Sequence, residues 1–447
     1  MAEKNQKPAE GESRFDIRNA RRFDRITSGM PAFSIQRKRV LQAVKLAGQF
    51  IEDATNGVAE KYQSVFIEAL RIDENTGVVR MTTKSSSSGA SISLPCPVDT
   101  AGAVLVRHDV LMKSLSTIKA NEVSFLAEGN ELGITGAGKG RGSQSVSLPL
   151  VRINDESELP DFDALSIDDS NWLAVSQESL LGAVKVLPKP DKDARASLFS
   201  GLVFSSEDGK LEVLSTNGDS YSSLAEIECE GEDMPIASLL YPQVNEVLSD
   251  IEPDNSGVRI GEHNNKIVFT TDSGIFSMPS VGNIGASSGQ LEDAQKSNAK
   301  NLNRFGEASV DKTAIVDGKK LRSAINSAQD MAKVGGVINS DSVQVSILVE
   351  ESGITVSTED EKTYVESVEA DVEVSELPER MFVIPSIYPD SINAMTVLSH
   401  DGDNARVKIQ FICRPGEDGN PTTAPLGIFI TGYSAGTPVK NMIAVRH

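Results

Sequence analysis

The chain has 447 residues, of which 24% are charged and 39% hydrophobic, and its formal net charge is −21. That length is too great for one core and suits about three domains of roughly 100–200 residues each. No apolar run approaches the ~20 residues needed to span a bilayer, and the polar N-terminus lacks the apolar core of a signal peptide, so a cytoplasmic protein with no membrane partner is expected.

Residues 1–31 are polar and read as a disordered N-terminal extension. The stretch RFDIRNARRFDRI within it also allows a short basic helix formed on binding DNA or a partner. From Ala32 the chain reads AFSIQRKRVLQAVKLAG, an apolar strand followed by a helix. The same pattern returns as WLAVSQESLLGAVKVLP from Trp172 and TAIVDGKKLRSAINSAQ from Thr313. Apolar positions fall at i, i+3 and i+4 in each: Val40, Ala43 and Val44, then Leu180, Ala183 and Val184, then Leu321, Ala324 and Ile325. Such spacing turns one stripe toward a core and leaves the cations on another face.

Each opening is followed by two strands about a glycine: SVFIEALRIDENTGVVRMTT around Gly77, SGLVFSSEDGKLEVLSTN around Gly209 and VQVSILVEESGITVST around Gly353. Alternating apolar residues on both sides predict β-hairpins. A second helix and hairpin then follow, in VLVRHDVLMKSLSTIKANEVSFLAEGNELGITG and in ASLLYPQVNEVLSDI leading to VRIGEHNNKIVFTT. The third copy is FVIPSIYPDSINAMTVL leading to VKIQFICRP and, after a longer loop, PLGIFITG. Each repeat therefore predicts two helices over curved antiparallel sheet, an α+β class.

A strongly acidic protein ordinarily repels nucleic acid. Here the charge is segregated. Arg37, Lys38, Arg39 and Lys45 gather on the first helix, and Arg107, Lys113 and Lys119 on a later helix of the same repeat. Lys185, Lys189, Lys192 and Arg195 are on or follow the second repeat's helix, and Lys319, Lys320, Arg322 and Lys333 accompany the third's. Acidic residues collect in connections such as INDESELPDFDALSIDDS, ECEGEDMP and EADVEVSELPER. Any single charged face reads most simply as a solvated surface. Recurrence at one place in three repeats points instead to copies arranged around something anionic.

Catalysis and metal binding find little support. His108, His263, His400 and His447 have no metal-ligand spacing with one another or with cysteine, and no serine nucleophile elbow is present. Cys96, Cys229 and Cys413 are scattered one per repeat and read as buried thiols rather than a disulfide framework. The segment GAGKGRG from Gly136 resembles a phosphate-cradling loop, but it lies between two strands and lacks the Gly-Lys-Ser/Thr ending, so a basic hairpin tip is expected. No cofactor is expected.

From about Ala32 to His447 the chain resembles the bacterial-type DNA sliding clamp, the beta subunit of DNA polymerase III and a processivity factor. The resemblance rests on the three-part repeat and on local matches in order. FSIQRKRVL from Phe33 is similar to the family's first strand and helix, and ELPDF from Glu158 to the segment closing its first domain. SGLVF from Ser200 with STNGD from Ser215 resembles its central hairpin and turn, and NMIAVRH from Asn441 its C-terminal strand. The resemblance implies three repeated clamp domains at 32–165, 170–286 and 311–447, with a linker at 287–310. Two chains would close head to tail as a homodimer ring around double-stranded DNA, holding a DNA polymerase and served by a clamp loader, without catalysis. A partner-peptide pocket is implied at Phe199, Thr216, Gly218, Tyr221, Ser386, Ile387, Ile443, Val445 and Arg446. Asp219 and Ser220 stand where the family has His-Arg, Ala444 where it has proline, and His447 where it has leucine, which predicts an altered peptide preference. Val146 and Leu148 match one side of the ring interface, while the facing helix AINSAQ from Ala324 is more polar than the family's. Such divergence, with the insertion CRPGEDGNPTTAPLG, would fit a viral or plasmid-encoded member. A structural or adhesive β-rich protein, such as a virion component, is the alternative; it leaves the basic helices unexplained.

Overall fold

The structure is a computed structural model and describes residues 29–52, 58–72, 76–138, 141–152, 172–189, 201–216, 221–250, 257–263, 265–271, 274–280, 310–334, 345–350, 353–358, 364–373, 381–384, 406–415 and 421–444, with 293, 296, 297 and 302. Strand β1 (Ala32–Gln36) enters α1 (Arg37–Ala47), then β2 (Ser64–Arg71), β3 (Gly77–Lys84), β4 (Gly89–Cys96) and the short β5 (Val98–Thr100). The first repeat closes with β6 (Gly102–Arg107), α2 (His108–Thr117), β7 (Glu122–Glu128), β8 (Glu131–Gly138) and β9 (Arg141–Pro149).

The order then recurs. The second repeat has β10 (Leu173–Val175), α3 (Gln177–Val186), β11 (Leu202–Glu207), β12 (Lys210–Thr216) and β13 (Tyr221–Gly231). It continues with β14 (Ala237–Leu239), α4 (Tyr241–Asp250), β15 (Val258–His263), β16 (Lys266–Thr271) and β17 (Gly274–Pro279). The third has β18 (Val310–Asp317), α5 (Gly318–Val334), β19 (Val345–Glu350), β20 (Gly353–Thr358), β21 (Val365–Glu373) and β22 (Met381–Ile384). It ends with β23 (Arg406–Pro415), β24 (Pro421–Ser434) and β25 (Thr437–Ala444). The second helix expected in this repeat, after Phe382, lies at 385–405, outside the described residues.

The pairings repeat as well. β2, β11 and β19 each pair with the strand that follows, and also with β6, β14 and β22 respectively. All are antiparallel, so the α+β class holds. The three predicted hairpins are present, and in β11–β12 Asp208 and Gly209 both take positive φ (52° and 77°). Asp-Gly accepts this backbone, which matches the twist of the flanking strands.

Two compact units emerge, drawn from residues 1–171 with 246–279, and from 172–245 with 280–447. In the first, β5-β1-β7-β8-β9 form one sheet with β9 at its edge. A second run joins β6-β2-β3-β4 to β17-β16-β15 through the β4–β17 pair, where Gly274 lies opposite Ile92 and Ser277 opposite Gly89. In the second unit β14-β11-β12-β13 continue into β25-β24-β23-β18-β21-β20-β19-β22. The junction here is β13–β25, with Tyr221 opposite Ile443 and Ala225 opposite Val439.

The helices lie on these sheets by the stripes their spacing predicts: all nine residues of the three stripes are 5% exposed or less. α1 packs on β3 and β4 and against α2, α3 on β24 and β25, and α5 on β20 and β21. Burial of Val40, Val44, Leu180, Val184, Leu321 and Ile325 contributes roughly 1.5–3 kcal/mol each, more than these short helices gain from their own hydrogen bonds. The thiols of Cys96 and Cys413 are buried and that of Cys229 half-buried. Burial pushes the Cys96 thiol up to about 11, so it is an unreactive core group.

Candidate nucleic-acid interface and partner groove

The cations of α1 do not share one fate. Arg37 begins the helix and donates from Nε to the Ala120 carbonyl (3.1 Å) and from Nη1 to the Leu115 carbonyl (3.1 Å). It thereby satisfies the Leu115 carbonyl in the last turn of α2, which the helix leaves without a partner, and the Ala120 carbonyl just beyond it. Lys38 is exposed and Arg39 half-buried, with no acidic residue in the first turn of α1. Lys45, in the last turn, is half-exposed and its Nζ lies 2.7 Å from Glu246 Oε2 on α4.

Around α2 the structure refines the expected placement. Lys113 is on the helix and exposed, whereas Arg107 immediately precedes it and Lys119 follows it. Arg107 makes a two-pronged contact with Asp109, Nε to Oδ1 at 3.0 Å and Nη2 to Oδ2 at 2.9 Å. The Arg107 guanidinium holds the Asp109 carboxyl below the usual carboxylate range. The helices are tied by His108, whose Nε2 donates to the Val44 carbonyl at 2.9 Å. A carbonyl can only accept, which fixes the proton on Nε2. Burial pushes the imidazole below its ordinary 6.5.

In the second repeat Lys185 and Lys189 are exposed, with Lys189 Nζ 5.9 Å from the Tyr241 ring centre. Lys192 and Arg195 lie outside the described residues. In the third, Lys319, Lys320 and Arg322 are exposed on the first turns of α5, and Lys333 is near its end. Asp317 caps this helix, Oδ1 accepting from the backbone N–H of Lys319 (2.8 Å) and Lys320 (3.1 Å). α4 differs from the other described α-helices: YPQVNEVLSD contains no lysine or arginine.

Of the nine pocket residues, Thr216, Tyr221 and Ile443 are described, and they come together. Tyr221 and Ile443 are opposed across β13–β25, and Thr216 Oγ1 donates to the Tyr221 carbonyl at 2.7 Å. The Tyr221 hydroxyl reaches the Lys189 carbonyl at 3.4 Å, and Ser215 Oγ donates to the Pro188 carbonyl at 2.6 Å, so the end of α3 is bound to the same strands. Phe199, Gly218, Ser386, Ile387, Val445 and Arg446 lie outside the described residues. Val146 is half-buried on β9, and Leu148 is 2% exposed, facing its own core.

Sequence reasoning missed Glu246 and the pair Ser223–Asn441. Ser223 Oγ donates to Asn441 Oδ1 at 2.5 Å beneath α3, with both residues wholly buried, and Asn441 Nδ2 has no partner. An asparagine inside the apolar strand segment NMIA was the available signal. Among the described residues no cluster of His, Cys, Asp or Glu could hold a metal, and no helix is long and apolar enough to cross a membrane.

No protein-family model matches the sequence, and no curated protein does. Solved structures do match. The DNA polymerase III beta subunit of Thermotoga maritima is 13% identical, with a TM-score of 0.66 over 93% of this chain and 99% of that one. The beta subunit from the DNA polymerase of Streptococcus pyogenes is likewise 13% identical, with a TM-score of 0.66 over 93% of this chain and 100% of that one. The DNA polymerase sliding clamp of Bacillus subtilis is 13% identical, with a TM-score of 0.64 over 94% and 99%. The chain therefore has the fold of the bacterial sliding clamp, over nearly the whole length of those proteins.

Proposed function

We propose that the chain is a DNA sliding clamp, a processivity factor that encircles duplex DNA as a ring of two chains and tethers a DNA polymerase. The observation that carries this reading is an incomplete cycle of strand pairings. The last strand of the second repeat, β17, pairs with the start of β4 in the first, and the last strand of the third, β25, pairs with the start of β13 in the second. The last strand of the first repeat, β9, is a sheet edge. The equivalent of β4 and β13 is β21, whose Val365–Glu369 half pairs with β20 on one side only among the described residues. Val365 is 56% exposed there. An unpaired edge is a template for another strand, and β9 of one copy meeting Val365–Glu369 of another completes the cycle in both. Closure by a twofold gives a finite ring.

Three clamp domains, 32–165, 170–286 and 311–447, then supply six domains per ring. The cationic faces of α1, α2, α3 and α5 contact phosphates without reading bases, so the ring slides. Topology rather than affinity keeps it on the template, and no catalytic group is required. The site for a polymerase or clamp-loader peptide lies at the Thr216, Tyr221 and Ile443 cluster, whose residues are themselves 6% exposed or less. The test is DNA binding by the K319A/K320A/R322A variant. Each lost phosphate contact lowers the salt slope by about 0.9, so weaker, less salt-sensitive binding is expected. Unchanged binding would contradict the reading.

A further inference from the structure

We propose that Glu246 restrains the clamp's grip on DNA by holding Lys45, one of the cations of α1. The inference rests on the reading of α1 as a DNA-facing helix. Three observations carry it. Lys45 Nζ and Glu246 Oε2 are 2.7 Å apart, a full ionic hydrogen bond. The two side chains are 50% and 23% exposed, so the pair is open to solvent and to an incoming polyanion. α4, which supplies the carboxylate, carries no cation of its own, whereas α1, α2, α3 and α5 each carry at least one.

A phosphate approaching Lys45 must displace a carboxylate already in place. An exposed pair is worth little, about 0–1 kcal/mol, so the displacement is easy and reversible. The carboxylate, once displaced, remains beside the phosphate and repels it. Both effects weaken one contact without removing it, which suits a protein that must travel along DNA rather than bind it at rest. The ammonium is neutralised in the absence of DNA, which also lowers the attraction between an unloaded chain and stray nucleic acid.

Fluorescence anisotropy of a labelled duplex, titrated with the full chain across a salt series, tests this. E246Q keeps the shape of the side chain and removes its charge. It should bind roughly threefold more tightly, with a salt slope steeper by less than the roughly 0.9 of a whole added phosphate contact. In a K45A background most of that gain should disappear, leaving only the small effect of one fewer negative charge near the DNA. A gain undiminished in K45A, or no gain from E246Q while K319A/K320A/R322A weakens binding, overturns the proposal and leaves the clamp reading intact. Indifference of binding to both E246Q and K319A/K320A/R322A removes the DNA-facing assignment itself, and the proposal falls with it.

Discussion

At the scale of residues, two polar contacts join elements far apart in the chain, one between α1 and α2 and one between β13 and β25. His108 is neutral at pH 7.5, and burial holds its pKa below the ordinary 6.5. As pH falls below 6.5 the unfolded chain takes up a proton before the folded one does, so stability declines until the lower folded value is reached and is full above 6.5. Thermal melts at pH 7.5 and 5.5 should show a larger loss for the native protein than for H108Q, which cannot titrate. Ser223 and Asn441 make the second contact. Ser223→Ala strands the buried Asn441 amide and should cost about 1–3 kcal/mol, whereas adding Asn441→Leu should recover part of that loss, because no polar group is left unpaired. Denaturant unfolding of both variants measures the difference. The positions of the cations were legible in the sequence, but their partners were not. Arg37 bonded to the end of α2 and Lys45 bonded to α4 depend on elements 78 and 201 residues away. No local pattern encodes such distances.

At the scale of elements, helices were the most legible feature because burial follows their spacing directly. The cap of α5 is Asp317, which stands before GKKL at the strand's end. Its loss in D317A should destabilise the protein by about 1 kcal/mol and fray the turn bearing Lys319 and Lys320, weakening DNA binding as well; chemical denaturation and anisotropy report the two effects. Strand ends were harder. CRPGEDGNPTTAPLG reads as a long loop, yet β23 runs to Pro415 and β24 begins at Pro421, the two prolines lying opposite each other. Register shifts between Ile412 and Pro415 accommodate them, as bulges do for residues that cannot donate to a ladder. Arg107 and Lys119 proved to flank α2 rather than lie on it, a displacement of one or two residues typical of helix ends.

At the scale of the whole molecule, the repeat was visible because three copies of one strand-and-helix order impose one hydrophobic pattern three times. Its sheets were not visible. Strand partners such as β4 and β17 or β13 and β25 belong to different repeats, and the compact units accordingly divide the second repeat between them. The same pairing rule predicts where two chains meet. V146E and V365E each place a carboxylate on a proposed joining strand, and β21 already carries Glu366 and Glu369. Both variants should lower the sedimentation-equilibrium mass toward one 47.8 kDa chain, with the fold retained. The most direct measurement is negative-stain electron microscopy of the purified protein. Class averages showing a two-chain ring of six lobes, with a central hole wide enough for duplex DNA, are the predicted result. Compact particles without a hole, or open filaments, would contradict the account.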